Sequence, residues 1–336
     1  MKIIFLKKIS PYINFRTIIV SISLFLLANT ENTSAEKAMV ELSTLNGTNG
    51  FQINGTNGMS GSTVSCAGDV NGDGLDDIII GAYAAYVSSE RKGESYVIYG
   101  QSNGFSTVID VSNLNGITGF KIVGINKSDS CGLSVSGAGD INNDGIDDII
   151  IGAPRADPLG KSQAGESYII FGSTNGFPAD FELSSLDGTN GFQINGISEL
   201  GLCGYSVSDA GDVNNDGIDD IIIGAYNISL GAGESYVVYG RATGFPKTFE
   251  LSSLNGTNGF RIAGTENRAY SGWSVSGAGD INNDGADDVI IGAYQAAPDD
   301  KIQAGKSYVI FGQTNNFNWR ILLSDLNGAN GFQLNG

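Results

Sequence analysis

The stretch GDVNGDGLDDIIIGA (68–82) places four aspartates within nine positions and then runs directly into three isoleucines. Carboxylates this close together repel one another unless a cation lies among them. The pattern returns as GDINNDGIDDIIIGA (139–153), GDVNNDGIDDIIIGA (211–225) and GDINNDGADDVIIGA (279–293). The first aspartates of neighbouring copies are 71, 72 and 68 residues apart, so the chain is built of units of about 70 residues.

The hydrophobic residues inside each unit alternate with a period of two, which indicates strands. In GFKIVG (119–124), Phe120 and Ile122 point to one side and Lys121 to the other. SYVIYG (95–100) and the DDIIIGA runs are denser in β-branched and aromatic residues, which is typical of strands covered on both faces. With the SVS segment before each aspartate loop, a unit has about four strands, and no helix is predicted beyond the N-terminal segment. Four short strands in tandem repeat predict an all-β fold, a β-propeller of four-stranded blades.

Composition excludes several classes of function. The 336 residues include 49 glycines and no histidine, which rules out Ser-His-Asp hydrolases, Cys-His proteases and histidine-ligated zinc. The 36 acidic residues outnumber the 18 basic ones, whereas a nucleic-acid-binding protein shows basic patches. We therefore expect no nucleic-acid partner.

The N-terminus is predicted to be a signal peptide, residues 1–35. Lysines precede the apolar run IIVSISLFLLA (18–28), which suits a signal sequence and is too short to span a bilayer. An uncleaved membrane anchor is the alternative and would be the only membrane attachment. The remaining chain is expected to be secreted or displayed at the cell surface. Its three cysteines occupy small-residue positions of the repeat and imply no disulfide framework, although one bridge between two of them stays open.

The aspartate loop has the form D-x-N-x-D-G-x-x-D, which predicts a cation site. Gly74 follows the third acidic or amide position, where a sharp reversal needs a residue without Cβ. Oxygen-only ligands suit a hard cation, calcium first and magnesium second. Asp76 is expected to point away from the ion and stay solvated. The ligands predicted for the first loop are the side chains of Asp69, Asn71, Asp73 and Asp77 and the main-chain carbonyl of Leu75.

Three other interpretations of the loop compete with this one. A metal-free aspartate-rich turn would not recur intact four times. An EF-hand needs an acid at position 12 and flanking helices, whereas position 12 here is Ile80, inside a predicted strand. A dockerin-type loop also precedes a helix. The calcium interpretation accounts best for the pattern.

The units resemble FG-GAP repeats, the blades of the integrin α-chain head and of many secreted bacterial proteins. The φ-G-x-S-V element of that family corresponds to CGLSVSGAGD (131–140), CGYSVSDAGD (203–212), SGWSVSGAGD (271–280) and, more weakly, SGSTVSCAGD (60–69). Its GAP element corresponds to IGAP (151–154) and to IGAY in the other units. The resemblance covers about residues 40–336.

The resemblance implies a calcium loop at a hairpin within each blade, with about four ions per chain, one per repeat. The family's ligands match Asp140, Asn142, Asp144, Ile146 and Asp148 in the second loop, Asp212, Asn214, Asp216, Ile218 and Asp220 in the third, and Asp280, Asn282, Asp284, Ala286 and Asp288 in the fourth. The family's ring usually has seven blades, whereas residues 36–336 hold four full units and GFQLNG (331–336), the opening of a fifth. We expect an incomplete part of such a ring, with a small ring of four or five blades as the alternative.

The function predicted from these features is an extracellular calcium-binding adhesion or ligand-binding module that is not itself an enzyme. The alternatives are the non-catalytic propeller of a secreted polysaccharide-active or esterase-type enzyme, and a structural spacer. A protein or glycan ligand is expected on the face opposite the calcium loops, where the repeats diverge. Candidate anchors in those divergent loops are Tyr86, Arg91, Arg155, Tyr226, Tyr270 and Tyr294.

Overall fold

The computed structural model describes residues 2–5, 41–314 and 317–336. Apart from a strand at Lys2–Phe5, the predicted signal peptide lies outside the described residues. The described chain consists of strands and short 3-10 turns, and it contains no helix that is long and apolar enough to cross a membrane. The predicted all-β class is therefore confirmed.

Four sheets repeat one antiparallel order, and each sheet is one blade running from an inner strand to an outer strand. Blade 1 contains Thr63–Gly68, Asp77–Ala82, Glu94–Ile98 and Gly119–Val123; blade 2 contains Ser134–Gly139, Asp148–Ala153, Glu166–Ile170 and Gly191–Asn195; blade 3 contains Ser206–Gly211, Asp220–Ala225, Glu234–Val238 and Gly259–Ala263; blade 4 contains Ser271–Gly279, Asp288–Ala293, Lys306–Ile310 and Gly331–Asn335. The predicted order of the four strands is confirmed in every blade.

Side-chain burial follows the predicted periods. The two middle strands of blade 2, Asp148–Ala153 and Glu166–Ile170, are buried at every position, because neighbouring blades cover both faces. The outer strand alternates: Phe192 and Ile194 are buried, whereas Gln193 between them is half-buried. The dense runs and the alternating run therefore have the environments that their sequences predict.

A short fifth strand, absent from the sequence prediction, joins each of the first three blades to the next unit. Residues of the following unit add it in parallel to the outer strand of the blade before it. These strands are Asp180–Glu182 on blade 1, Thr248–Glu250 on blade 2 and Arg320–Leu322 on blade 3. A 3-10 turn follows each of them, at Leu183–Ser185, Leu251–Ser253 and Leu323–Asp325. Other 3-10 turns lie at Leu42–Thr44, Val111–Asn113, Pro158–Gly160 and Pro298–Asp300.

The strands that begin with Gly-Phe, such as Gly119–Val123, are the outer strands of the blades. Gly331–Asn335 pairs with Lys306–Ile310 and is the outer strand of blade 4, although the sequence suggested the opening of a fifth unit. At the other end, Phe51–Asn54 lies between Lys2–Phe5 and Val108–Asp110 in a three-stranded sheet that precedes blade 1. A separate two-stranded hairpin, Tyr86–Val87 with Glu90–Arg91, stands in the first divergent loop.

Stacked phenylalanines fill the space between neighbouring blades. Phe192 of blade 2 lies parallel to Phe245, with ring centroids 4.1 Å apart, and the same pair recurs at the other interfaces. Each inner strand contacts the inner strand of the next blade in the order 1-2-3-4. The three cysteines are free; Cys66 is exposed, and Cys131 and Cys203 are buried at blade interfaces.

The four blades form an open arc. Val64 on the inner strand of blade 1 is 46% exposed, whereas its equivalent Val135 is 5% exposed under the preceding blade. At the opposite end Ile281 of blade 4 is 51% exposed, and its equivalent Ile141 is fully buried. The three-stranded sheet packs against the middle strands of blade 1, but the inner-strand positions are uncovered at both ends of the described chain, so the alternative of a closed ring of four or five blades is wrong.

Candidate metal centres

Each aspartate loop is the hairpin between the inner and second strands of a blade. In blade 2 it spans 140–147, between Ser134–Gly139 and Asp148–Ala153. Gly145 has φ +89°, a left-handed value, and a Cβ there would meet nothing within 4 Å. Backbone conformation, not space, therefore requires glycine at this position. Asn143, two residues earlier, is also left-handed, which asparagine tolerates better than most residues.

The hydrogen bonds of the loop bring its first, third and fifth positions together. In blade 2 the Asp140 carboxylate accepts the N–H groups of Asp144 at 2.9 Å and Gly145 at 2.8 Å. Asp144 accepts the N–H of Ile146 at 3.0 Å, and the Asn142 amide donates to Asp144 at 3.0 Å. The first-position and fifth-position bonds recur in all four loops, so the four aspartate loops share one conformation.

The closing aspartate is buried and anchors the loop to the strands. Asp148 is fully buried and accepts the N–H groups of Ile141 at 3.1 Å and Gly172 at 2.8 Å. Burial raises the pKa of Asp77, its equivalent in blade 1, to about 7 against the opposing effect of two such hydrogen bonds. The pKa values of Asp148 and Asp220 are raised well above the ordinary range, again mainly by burial. A carboxylate in this environment is stabilised by a proton or a cation.

Two orphaned oxygens test whether the loops fit calcium. Asn142 Oδ1 and Asn214 Oδ1, at the third position of loops 2 and 3, are buried without a hydrogen-bond partner. In loops 1 and 4 the equivalent oxygens of Asn71 and Asn282 accept a backbone N–H. A buried acceptor without a donor is costly, and a cation would satisfy it. The donor set, which contains only oxygen, therefore fits a hard cation such as calcium.

The full ligand sets remain predictions. Within the described ranges no group of three or more His, Cys, Asp or Glu side chains is arranged to hold a metal. The first-position and fifth-position carboxylates point instead to backbone N–H groups of their own loop. The main-chain carbonyls of Leu75, Ile146, Ile218 and Ala286 likewise stay predicted ligands.

The aspartate before the closing one behaves differently in blade 1 and in the others. Asp76 is exposed, as expected. Its equivalents Asp147, Asp219 and Asp287 are half-buried, and each accepts a backbone N–H from the aspartate loop of the preceding blade. The sequence gives no sign of this difference, because it depends on the neighbouring blade.

The face opposite the aspartate loops carries a group of five packed rings, the aromatic cluster, formed by Tyr205, Tyr226, Tyr270, Trp273 and Tyr294 of blades 3 and 4. All five stand at the start of an inner strand or the end of a second strand, which places them on this face. Trp273 lies at its centre, 4.6 Å from Tyr205, 4.8 Å from Tyr226 and 4.5 Å from Tyr294 between ring centroids. Tyr270 contacts both Tyr226 and Tyr294.

The aromatic cluster contains three of the six predicted anchors. Exposed Arg155 lies close enough to lower the pKa of Tyr226, which burial and neighbouring tyrosines raise. Tyr86 and Arg91 instead face each other across the blade 1 hairpin. The prediction missed Tyr205 and Trp273, which occupy the variable position of the G-x-S-V element. Their inner strands pair with the strands that end in the IGAY tyrosines, and this strand pairing could have identified them from the sequence.

Comparison with known proteins agrees with this architecture. The FG-GAP repeat family matches residues 61–98, 132–170 and 271–310, which fall in blades 1, 2 and 4. Blade 3 has the same strand order and the same loop. The chain is 33% identical over 170 residues, 49% of its length, to integrin alpha pat-2 of Caenorhabditis elegans. It is 26% identical over 232 residues, 68% of its length, to integrin alpha-5 of Xenopus laevis.

A third relative is phosphatidylinositol-glycan-specific phospholipase D of Mus musculus, 30% identical over 171 residues, 49% of this chain. The chain spans 13%, 19% and 18% of the lengths of these three proteins. Matched repeats, strand order and relatives lead to one conclusion. The chain contains three matched FG-GAP repeats, forms an open β-propeller and is similar in sequence to integrin α chains.

Proposed function

We propose that this chain is an extracellular calcium-binding propeller that acts as an adhesion or ligand-binding module. The observation that carries the proposal is the fourfold repetition of one oxygen-rich loop that ends in a buried aspartate, with an orphaned asparagine oxygen in loops 2 and 3. The similarity to integrin α chains supports the extracellular adhesion class. Secretion rests on the predicted signal peptide, and recovery of the chain from culture medium tests it.

The residues of each loop have separate roles in this proposal. The side chains at positions one, three, five and nine and the carbonyl at position seven would hold the ion, which supplies positive charge among them. Backbone N–H groups already orient the first and fifth carboxylates. The closing aspartate, held by two N–H bonds, joins the loop to the second strand. Loss of calcium is expected to loosen the hairpin end of every blade.

Titration calorimetry with calcium tests the proposal. We expect about four ions per chain, with Kd near the 10⁻⁴–10⁻³ M typical of extracellular modules, and a melting temperature that falls in chelator. Asp144→Ala should remove one ion, whereas Asp76→Ala, at an exposed aspartate outside the ligand set, should remove none. A melting curve that is unchanged by chelator, or an unchanged stoichiometry in Asp144→Ala, would contradict calcium binding by these loops.

We place the ligand surface at the aromatic cluster. Aromatic rings with polar edges are enriched at binding hot spots, and Tyr294 is exposed while the other four rings are half-buried. The expected ligand is a protein, with a glycan as the other outcome of the test. Binding of the chain to an array of purified extracellular-matrix proteins and glycans tests this assignment.

The matched variants for this array are Trp273→Ala and Trp319→Ala. The chain has two tryptophans, and Trp319 lies at the outer edge of blade 3, where Arg261 stacks near it. We expect Trp273→Ala to abolish binding to the captured ligand and Trp319→Ala to retain it, with calcium stoichiometry equal in both. Equal loss in the two variants would place the ligand surface elsewhere.

A second candidate function follows from the similarity to phosphatidylinositol-glycan-specific phospholipase D. This chain would then be the non-catalytic propeller of a secreted enzyme, because its repeats show no group of acidic and basic side chains that stands outside the repeat pattern and could act in catalysis. The chain spans only 18% of that relative, so the enzymatic part would lie elsewhere in the whole protein. Sequencing the coding region on both sides of this segment separates the candidates: a hydrolase domain favours the enzyme and further repeats alone favour adhesion.

A further inference from the structure

Neighbouring aspartate loops are joined by one side chain in each blade interface. Asp147 Oδ2 of blade 2 accepts the backbone N–H of Asp69 in blade 1, at 2.8 Å. Asp219 accepts from Asp140 at 2.9 Å, and Asp287 accepts from Asp212 at 2.9 Å. The carboxylate is always that of the eighth loop position, and the N–H is always that of the first position of the preceding loop.

The fit at these junctions is close. A Cβ at Gly68, the residue before Asp69, would lie 2.3 Å from the Asp147 carboxylate. Gly139 and Gly211 would clash in the same way with the aspartates that face them. At Gly279 of blade 4, a Cβ would meet nothing within 4 Å, since no described residue follows that blade. The position of the carboxylate is therefore set by the neighbouring blade.

The two residues that the bond connects belong to different ion sites. Asp147 stands between Ile146 and Asp148, which supply the predicted seventh and ninth ligands of loop 2. Asp69 is the predicted first ligand of loop 1, and its carboxylate accepts the N–H groups of Asp73 and Gly74. When either loop is ordered, one partner of the hydrogen bond between Asp147 and Asp69 is therefore held in place.

We propose that Asp147, Asp219 and Asp287 are positioning residues that couple calcium binding in one blade to calcium binding in the blade before it. The proposal rests on the proposed calcium function of the loops. An ordered loop 2 holds the Asp147 carboxylate in place, which holds Asp69 ready as a ligand, and the reverse holds by linkage. The ions therefore bind with positive cooperativity along the arc, and Asp76, which has no described blade before it, has no such effect.

Hydrogen exchange with mass spectrometry measures the coupling on the full chain, because peptides from each loop report separately. The probe is calcium alone, and the quantity is the calcium concentration at half-maximal protection of loop 1. We expect Asp147→Ala to raise this concentration roughly five- to tenfold, in the lower range of couplings between sites, and to leave loops 3 and 4 unchanged. Asp147→Asn, which keeps an acceptor oxygen, should stay near wild type. Asp76→Ala, the same residue type at the same loop position, should have no effect.

A double-mutant cycle separates coupling from a simple structural bond. Asp144→Ala, which removes the ion of loop 2, should raise the half-maximal concentration of loop 1 in the wild-type background and leave it unchanged in the Asp147→Ala background. Three results would each overturn the coupling alone. The first is an equal effect of Asp144→Ala on the half-maximal concentration of loop 1 in both backgrounds. The others are an unchanged half-maximal concentration in Asp147→Ala, or one in Asp147→Asn as high as in Asp147→Ala. A wild-type chain whose loops show no calcium-dependent protection would overturn the calcium function together with the coupling.

Discussion

Replacing Asp148 in the second loop should cost stability in two separable parts. The side chain is fully buried and accepts two backbone N–H groups, from Ile141 at 3.1 Å and Gly172 at 2.8 Å. Asp148→Ala leaves both donors without a partner, at about 1–3 kcal/mol each. Relief of a buried carboxylate, whose pKa burial raises, offsets part of that sum. We therefore expect a loss of about 2–3 kcal/mol in chelator, against a total of roughly 5–15 kcal/mol for a typical domain.

Calcium should widen the difference. The wild-type chain gains about 2.7 kcal/mol from each occupied loop at a hundredfold excess over Kd, and the variant loses that gain in loop 2. Asp148→Asn keeps one acceptor oxygen but places an amide N–H₂ group against the other donor. Its loss in chelator should therefore be about half that of Asp148→Ala, and its loss of the calcium contribution should be complete.

Urea denaturation followed by circular dichroism, in chelator and in saturating calcium, measures both parts. Asp76→Ala is the control, because that carboxylate is exposed and lies outside the predicted ligand set. Unchanged stability of Asp148→Ala in chelator would refute its role as the anchor of the loop. A difference from wild type that is identical with and without calcium would refute its role as a ligand.

Three further predictions use pairs of like residues. Gly145→Ala meets only backbone strain, about 1–2 kcal/mol, whereas Gly152→Ala places a Cβ 2.0 Å from a carbonyl oxygen of the next blade and should cost more in the same denaturation assay. Phe192→Ala removes a ring stacked between two blades and should cost about 3–5 kcal/mol. Phe332→Ala, at the same position in the uncovered outer strand of blade 4, should cost clearly less; equal costs would contradict the open arc. Cys66 is exposed and the other two thiols are buried, so a thiol reagent should modify one cysteine in the native chain and three in denaturant.

The strand order and the loop chemistry were predictable from the sequence because both depend on local patterns. Alternation in GFQIN (191–195) and unbroken β-branched runs such as DIIIGA (148–153) specify which strands are half-buried and which are covered on both sides. Glycine after the third loop aspartate or asparagine specifies a left-handed residue, which the chain adopts at Gly145. Repetition at intervals of about 70 residues predicts that each unit is one blade of a stack, since a single such sheet cannot bury both of its faces.

Contacts between blades could not be predicted from the sequence, because they depend on how whole blades pack. The fifth strands have three residues each, too few for a periodicity, and they form because the next unit lies beside the outer strand. Asp76 and Asp147 occupy the same position of the loop and are each followed by one aspartate and three isoleucines, yet one is exposed and the other accepts an N–H from another blade. Tyr205 and Trp273 join the aromatic cluster because two blades bring their strand ends together.

The sequence by itself determined the class of fold, the blade and the oxygen-rich loop, because alternation, turn residues and ligand spacing act over a few residues of one chain segment. Tertiary structure alone decided that the arc is open, that one aspartate of loops 2, 3 and 4 contacts the preceding loop, and that five rings meet on the opposite face. Those features depend on contacts between different blades, such as the bonds between residues 78 and 79 positions apart, which form only when whole blades pack against each other.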